Sequence, residues 1–376
     1  MTNYEVVWRG PLQRVSGLGI ASRSYVKALK RQGVNVHVGT SMKKHLGKGK
    51  IKKRKVLIYH QLPNTINFKQ ERISFNPILL NTVWETTQIP KRWLRYINKF
   101  DAVCVPSIQN KQALKHSGVR VPIFLVPHGV DTQMYKPNNK KLPVPNSKGK
   151  FIFVSVFGFQ HRKNPEALLR AYWEEFSSAD NVLLVIKTNG YAPYENEIWI
   201  KNTIKRYKER LGIRKKTAPI FIIGRQLTSN QLKGIYTLGN VFVLPTRGEG
   251  VGLPFLESLS SGVPVITTGW GGHMDFLTRK NSFLLPYQLK NPAISMNSKH
   301  AISRKFRHLF TERGQRWAEP DRGSLRRQMR FAYQNPLLCK KKGLQGRQDM
   351  LKLSWNRAGQ SLKKAIEKVI NSKKQG

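Results

Sequence analysis

The sequence predicts an α/β protein built from two Rossmann-like, doubly wound domains that face each other across a cleft. Three observations carry this expectation. Short apolar runs rich in β-branched residues alternate with amphipathic stretches of helical period, the pattern of parallel strands covered on both faces. The alternation breaks once, at 137–150, where Pro, Asn, Lys, Ser and Gly replace the apolar pattern, and then begins again. A chain of 376 residues, 39% hydrophobic, is also long for one core and sufficient for two.

The first domain, 1–136, opens with a strand at 5–8, where Val6, Val7 and Trp8 form an apolar run. A helix at 20–31 follows and is stopped by Gly33, and a second strand is expected at 34–38. Further strands are expected at 56–59, 78–83, 102–105 and 123–126, and Pro127-His128-Gly129-Val130-Asp131 closes the domain as a joining turn. After the 137–150 linker, the second domain (151–352) places strands at 151–156, 182–187, 220–223, 241–244 and 263–267. Its first helix is well marked: Asn164 caps it, Pro165 suits its first turn, and Leu168, Leu169, Tyr172, Trp173 and Phe176 share one face.

Composition narrows the function classes. Two cysteines, Cys104 and Cys339, are far apart and lack metal-ligand spacing, which argues against a disulfide framework or zinc site and fits a reducing cytoplasm. No charged-then-apolar leader begins the chain, and no apolar run reaches the roughly 18 residues that span a bilayer. The net charge of +47, from 67 Lys plus Arg against 20 Asp plus Glu, attracts polyanions without naming one. It is concentrated at 43–55, with eight basic residues and no acid, and at 303–376. Nucleic acid, anionic lipid head groups and anionic glycans all remain open partners, beside a plain solvated basic surface.

The chemistry concentrates in VFVLPTRGEGVGLPFLESLSSGVPVITTGWGGHMDF, residues 241–276. A buried strand feeds a loop with three glycines, Pro254 opens a helix, and Gly262 with Pro264 ends it. Such a loop brings backbone N–H groups close to oxygen anions, and the helix dipole favours their charge, so Gly250, Val251 and Gly252 are expected to face a phosphorylated ligand. Glu249 on the loop suits sugar hydroxyls, and Glu257 within the helix suits a ribose diol. Either acid alone would usually be no more than a dipole partner (Glu257) or a solvated turn residue (Glu249); the pair flanking Gly-Val-Gly favours a site.

Arg162 and Lys163 precede the Asn164-Pro165 helix start and read either as solvated loop cations of a very basic chain or, favoured by that helix start, as holders of a diphosphate leaving group, where fixed cations favour the transition state. Gly17 and Gly19, in Val15-Ser16-Gly17-Leu18-Gly19-Ile20, read either as a plain tight turn or as a place where backbone approaches the donor. A dinucleotide site is disfavoured there: Ser22 stands where a third Gly or Ala is wanted, and Gly39-Thr40 lacks the ribose-binding acid. Trp84 and Glu85 end a strand and read either as a sugar-stacking face with a hydroxyl partner, on the acceptor or donor-sugar side, or as core and helix cap. Arg225, after the 220–223 strand, is a candidate nucleotide contact, and His60 and His273 read as structural histidines.

Two Glu separated by seven residues in such a segment resemble the family 4 retaining glycosyltransferases, the group 1 glycosyltransferases of the GT-B class. The resemblance implies a hexosyltransferase that takes a UDP- or GDP-linked sugar, retains anomeric configuration and requires no metal or other cofactor. It assigns Glu249 and Lys163 to the reaction and Glu257 to the ribose, and it leaves Arg162 as a substitute for the family's usual Arg. Lys163 followed by Asn164 fits the family pattern, whereas Gly158 stands where the family carries an Arg, and Glu85 or a neighbour where many members carry a His. It also implies that the final helix, within 353–376, returns to the first domain. The acceptor class is a glycan, a lipid-linked sugar or another hydroxyl, as in polysaccharide biosynthesis, for a cytoplasmic protein or one peripheral on the cytoplasmic face of an anionic membrane. The alternative from charge alone is a basic nucleic-acid-binding protein without catalysis, for which no zinc-finger, RNA-recognition or helix-turn-helix pattern is evident.

Overall fold

The computed structural model describes residues 2–39 and 53–373, so the basic run expected at 43–55 lies outside the described residues as far as 52. The chain forms two units, Met1–Gly129 with Leu353–Gly376, and Val130–Lys352.

The first unit is a six-stranded parallel sheet made of β1 (Tyr4–Arg9), β2 (Asn35–Val38), β3 (Arg54–Tyr59), β4 (Ile78–Asn81), β5 (Ala102–Val105) and β6 (Ile123–Leu125). The order is β2-β1-β3-β4-β5-β6, so the chain reverses its direction of travel between β1 and β3. All six strands lie where apolar runs predicted them. β4 stops earlier than expected because the Trp84 N–H is taken by the Asn110 side chain at 2.9 Å. The Gly17–Arg31 helix starts three residues early because Ser16 caps it, its hydroxyl accepting the Gly19 N–H at 3.2 Å.

The Trp355–Ser372 helix belongs to this same unit and packs on Gly17–Arg31. Leu362, Ile366 and Ile370 are buried with Tyr25 and Leu29, and a Cβ on Gly359 would lie 2.7 Å from that of Ala28. Burying three such aliphatic side chains contributes on the order of 1.5–3 kcal/mol each.

The second unit holds β7 (Phe151–Gly158), β8 (Val182–Asn189), β9 (Ile220–Ile223), β10 (Val241–Leu244), β11 (Val265–Thr268) and β12 (Ser282–Leu285), all parallel, in the order β12-β11-β10-β7-β8-β9. β11 begins two residues later than predicted: Gly262, at φ +76°, ends the preceding helix, and the Val263 N–H turns back to Ser258 O at 3.0 Å. Three strands went unpredicted: β12, and the antiparallel pair β13 (Tyr287–Lys290) and β14 (Trp317–Pro320). Residues 137–150 lie within this unit, with Leu142 and Val144 buried and the Leu142 N–H on Gly234 O at 2.9 Å. Among the described residues, no helix is long and apolar enough to cross a membrane.

Candidate functional site

In the second unit the chain runs outward from β7 to β9 and then restarts on the other side of β7 with β10. Ligands of such sheets bind beyond the carboxyl ends of the strands where the winding reverses. Two loops leave that point. One follows β7 and carries a short turn, His161–Lys163, before the Pro165–Glu175 helix; the other follows β10 and carries residues 245–252 before the Leu253–Ser260 helix. Asn164, at φ +58°, accepts the Ala167 N–H at 3.2 Å and so caps the first of these helices. Gly252, at φ +83°, turns the chain into the second, and a Cβ there would meet Phe255 Cδ2 at 2.5 Å.

The three residues expected to act in the reaction are brought together at this point. Lys163 Nζ donates to Glu249 Oε1 at 2.5 Å, and Arg162 Nη1 stands 3.3 Å from Glu249 Oε2 while also donating to Gly248 O. All three are buried, with Glu249 only 4% exposed. The loops are laced by backbone as well: Arg247 N–H donates to Arg162 O at 2.8 Å, and Gly272 N–H to Glu249 O at 2.7 Å. Burial pushes the Glu249 carboxyl up, but Lys163 and then Arg162 outweigh it and bring its pKa down to about 2. The site therefore holds an ionised acid with two cations drawn into one buried cluster.

Glu257 is in the opposite condition. It is buried within the Leu253–Ser260 helix, and its Oε2 accepts the Tyr236 hydroxyl at 2.5 Å; the Tyr135 hydroxyl also donates to it. Burial raises its pKa to about 7 even though both tyrosines favour the ionised form. Two carboxyls eight positions apart thus differ by several pH units because one faces cations and the other only neutral donors.

Residues 148–295 match the family described as Glycosyl transferases group 1. The matched range lies within the second unit. The chain is 25% identical over 182 residues to alpha-monoglucosyldiacylglycerol synthase of Streptococcus pneumoniae, a match covering 46% of this chain and 38% of the other. It spans roughly half the length of the curated relatives it matches. Among solved structures, sucrose-phosphate synthase from Thermosynechococcus elongatus superposes with TM-score 0.67 at 16% identity, covering 98% of this chain and 99% of that one. Anabaena HepE in complex with UDP-glucose gives 0.67 at 11% identity, covering 97% and 99%. The two six-stranded parallel sheets are those of the GT-B architecture.

Gly158 is the position at which the family resemblance led one to expect an Arg. The space beside it is taken by Tyr191: a Cβ on Gly158 would lie 2.1 Å from the Tyr191 hydroxyl, which accepts from Gln160 Nε2 at 2.7 Å. Sequence reasoning passed over His161, Glu166, Arg247, Tyr135 and Tyr236 around the site. His273, read as structural, sits beside Glu249 on the Gly272–Asp275 turn, with Nε2 2.8 Å from Thr268 O and its ring edge-on to Phe255. Burial lowers its pKa, so it is neutral, and its Nδ1 meets no partner among the described residues. His161 pairs with Glu166 at 2.8 Å, and Arg247 bridges Glu166 and Glu319 at 3.5 and 2.7 Å. Burial raises the Glu166 carboxyl, yet His161 and Arg247 hold it below its ordinary pKa. The spacing of His161 to Glu166 was visible; that of Tyr135 and Tyr236 to Glu257 was not, since buried tyrosines look like any aromatic core residue.

The remaining predicted residues are placed as follows. Gly250, Val251 and Gly252 are buried on the loop between the two acids. Arg225 is exposed after the edge strand β9, where its N–H donates to Glu197 Oε2 at 3.2 Å; it is not part of the Glu249 cluster. Gly17, Gly19, Trp84 and Glu85 belong to the first unit. Gly17 is exposed at the helix start, and a Cβ on Gly19 would strike Arg14 O at 2.1 Å, so close packing requires that glycine. Trp84 lies in the core, edge-on to Trp93 at 4.8 Å, its indole N–H on Thr86 Oγ1 and Gln88 O at 2.7 Å each; Glu85 is half-buried beside it. The described residues contain no group of three or more His, Cys, Asp or Glu able to hold a metal.

Proposed function

We propose that the protein is a glycosyltransferase that moves a hexosyl group from a UDP- or GDP-linked donor to a hydroxyl of a glycan or lipid-linked acceptor, with retention of configuration and without a metal. The observation that carries this reading is the buried Glu249–Lys163–Arg162 cluster at the point where the second sheet reverses its winding. The group 1 glycosyl transferase match and the likeness to structures solved with UDP or UDP-glucose support it.

In this mechanism the donor pyrophosphate rests against Gly250, Val251 and Gly252 and draws Lys163 and Arg162 toward it, while Glu257 accepts the ribose hydroxyls and Glu249 those of the sugar. The bond from the anomeric carbon to the phosphate oxygen breaks, the acceptor oxygen bonds to that carbon from the same face, and the acceptor proton passes to the departing phosphate. Fixed cations that meet the charge as it forms contribute about 10²–10³ in rate for each removed contact of this kind. Glu249 keeps both cations ordered before the donor arrives, so little reorganisation remains for the reaction itself.

The test is a thermal-shift screen of UDP- and GDP-linked sugars followed by transfer and donor-hydrolysis assays of the donor that stabilises the fold. Glu257→Ala is expected to abolish the stabilisation and to reduce turnover. A variant with unchanged donor affinity and unchanged turnover rules the assignment out.

A further inference from the structure

We propose that the outward face of the Pro336–Met350 helix docks the protein on an anionic lipid surface, through a stripe of leucines interleaved with lysine. The inward face of this helix is settled: Cys339, Gly343, Gly346 and Met350 are buried, and Gly343 lies so close to the Gly262 backbone that a Cβ would meet Gly262 O at 1.9 Å. About half a turn away around the axis, Leu337, Leu344 and Leu351 are 82%, 53% and 55% exposed. Their spacing is seven residues, so they drift by only ~20° per step and form a straight line about 21 Å long.

Singly exposed leucines are ordinary on any surface; three on one line of one helix, opposite its buried side, are not. Lys341 and Gln348 lie on the same line between them, Lys340 beside it, and all three are exposed. The helix's single acid, Asp349, is turned aside and held by Asn281 and Gln345 at 2.8 and 2.9 Å. A row of leucines with lysines at its margin is what a helix lying in a head-group layer presents: apolar tips immersed, ammonium groups reaching the lipid phosphates.

Charge complementarity selects this occupant over two others. A second copy of the chain would need apolar residues at both seam positions of the heptad, but the intervening positions are Lys340 and Arg347, and Arg347 is spent on Thr132 O, Tyr135 O and Ser260 O. Two copies would also bring Lys340 and Lys341 against their own kind on a chain of net charge +47. A nucleic acid would satisfy the lysines and leave the leucines in water. An anionic bilayer takes both, the leucine tips in its interior and the ammonium groups at its phosphates.

The experiment is flotation of the full chain with vesicles of phosphatidylcholine alone or mixed with phosphatidylglycerol, comparing the parent with L337S/L344S/L351S and with K340Q/K341Q. The parent is expected to float with the mixed vesicles and not with the neutral ones; the leucine variant should lose partitioning by about tenfold or more, and the lysine variant by a smaller, salt-sensitive factor. Because the leucines are exposed, both variants should melt with the parent. Flotation of the leucine variant at the parent level, equal flotation of the parent on neutral vesicles, or no flotation at all overturns the proposal. So does a parent dimer on gel filtration that the leucine changes dissolve, which assigns the stripe to a second copy. None of these readouts involves a nucleotide sugar, so the result is independent of the proposed reaction.

Discussion

Replacing Glu257 by Gln should make the protein more stable at alkaline pH and leave it unchanged in acid. The carboxyl ionises near 4.5 in the unfolded chain and, through burial, at about 7 in the fold. Between those values the unfolded chain has released a proton that the folded one retains, so stability falls as pH rises across that window. Below it the group contributes nothing, and above it the full penalty is present. A displacement of roughly 2.5 units at about 1.4 kcal/mol each gives a penalty of about 3 kcal/mol. Gln keeps an acceptor for the Tyr236 hydroxyl and cannot ionise, so the variant should gain that amount by pH 8. For a unit of roughly 200 residues this is a rise of about 6–12 °C in melting temperature. His60 and His128, which burial holds down to about 3, act in the opposite direction between pH 3 and 6.5. Their contribution cancels in the difference between the two proteins. The assay is thermal unfolding of parent and E257Q from pH 5 to pH 8, with Tyr236→Phe as a companion whose lost donor should move the window further up. A difference that does not vary with pH refutes the reasoning.

The same carboxyl should make nucleotide binding pH-dependent: affinity for UDP or GDP, measured by calorimetry, is expected to rise as pH passes through about 7, where Glu257 becomes able to accept both ribose hydroxyls. Lys163→Met removes the closest cation from buried Glu249 and is expected to lower stability by about 3–5 kcal/mol; adding Glu249→Gln should restore the melting temperature while transfer stays about 10²–10³-fold down, in an assay of released UDP or GDP. Gly252→Ala forces a Cβ onto Phe255 at φ +83° and should cost about 1–3 kcal/mol, seen as a lower melting temperature together with weaker nucleotide binding.

Much of this architecture was legible because the central strands of both parallel sheets are buried on both faces and read as apolar runs: β5 and β10 begin and end where the pattern said, as does the half-buried edge strand β9. β12, Ser-Phe-Leu-Leu, was missed although it is an apolar run, but the other two missed strands lack that contrast. β13, Tyr-Gln-Leu-Lys, is exposed along its whole length, and its partner β14 contains Pro and Glu, so their pairing rests on position in the tertiary structure and leaves no trace in composition. The site shows the same division. Glu249, Arg162 and Lys163 were findable from turn chemistry beside two helix starts, whereas the adjacency of β7 to β10 that joins them is a fact of strand order. Glu257 was visible as an acid in a helix, but its altered ionisation depends on Tyr135 and Tyr236, which reach it from elsewhere in the sequence and carry no marker of their task. Trp84 was open between a sugar platform and a core residue, and the structure seats it in the core with its N–H satisfied.

The membership of the Trp355–Ser372 helix in the first unit sets an order on how this chain matures. On a ribosome, residues 1–129 emerge early yet lack the element that covers Tyr25, Leu29 and Ala28, and more than two hundred residues of the other unit must be translated before it arrives. Until then the Gly17–Arg31 helix presents a greasy flank to solvent, a period in which chaperones or aggregation compete for it. Deleting the Trp355–Ser372 helix would therefore hold the first unit permanently in that nascent condition, while leaving the acid–cation cluster of the second intact.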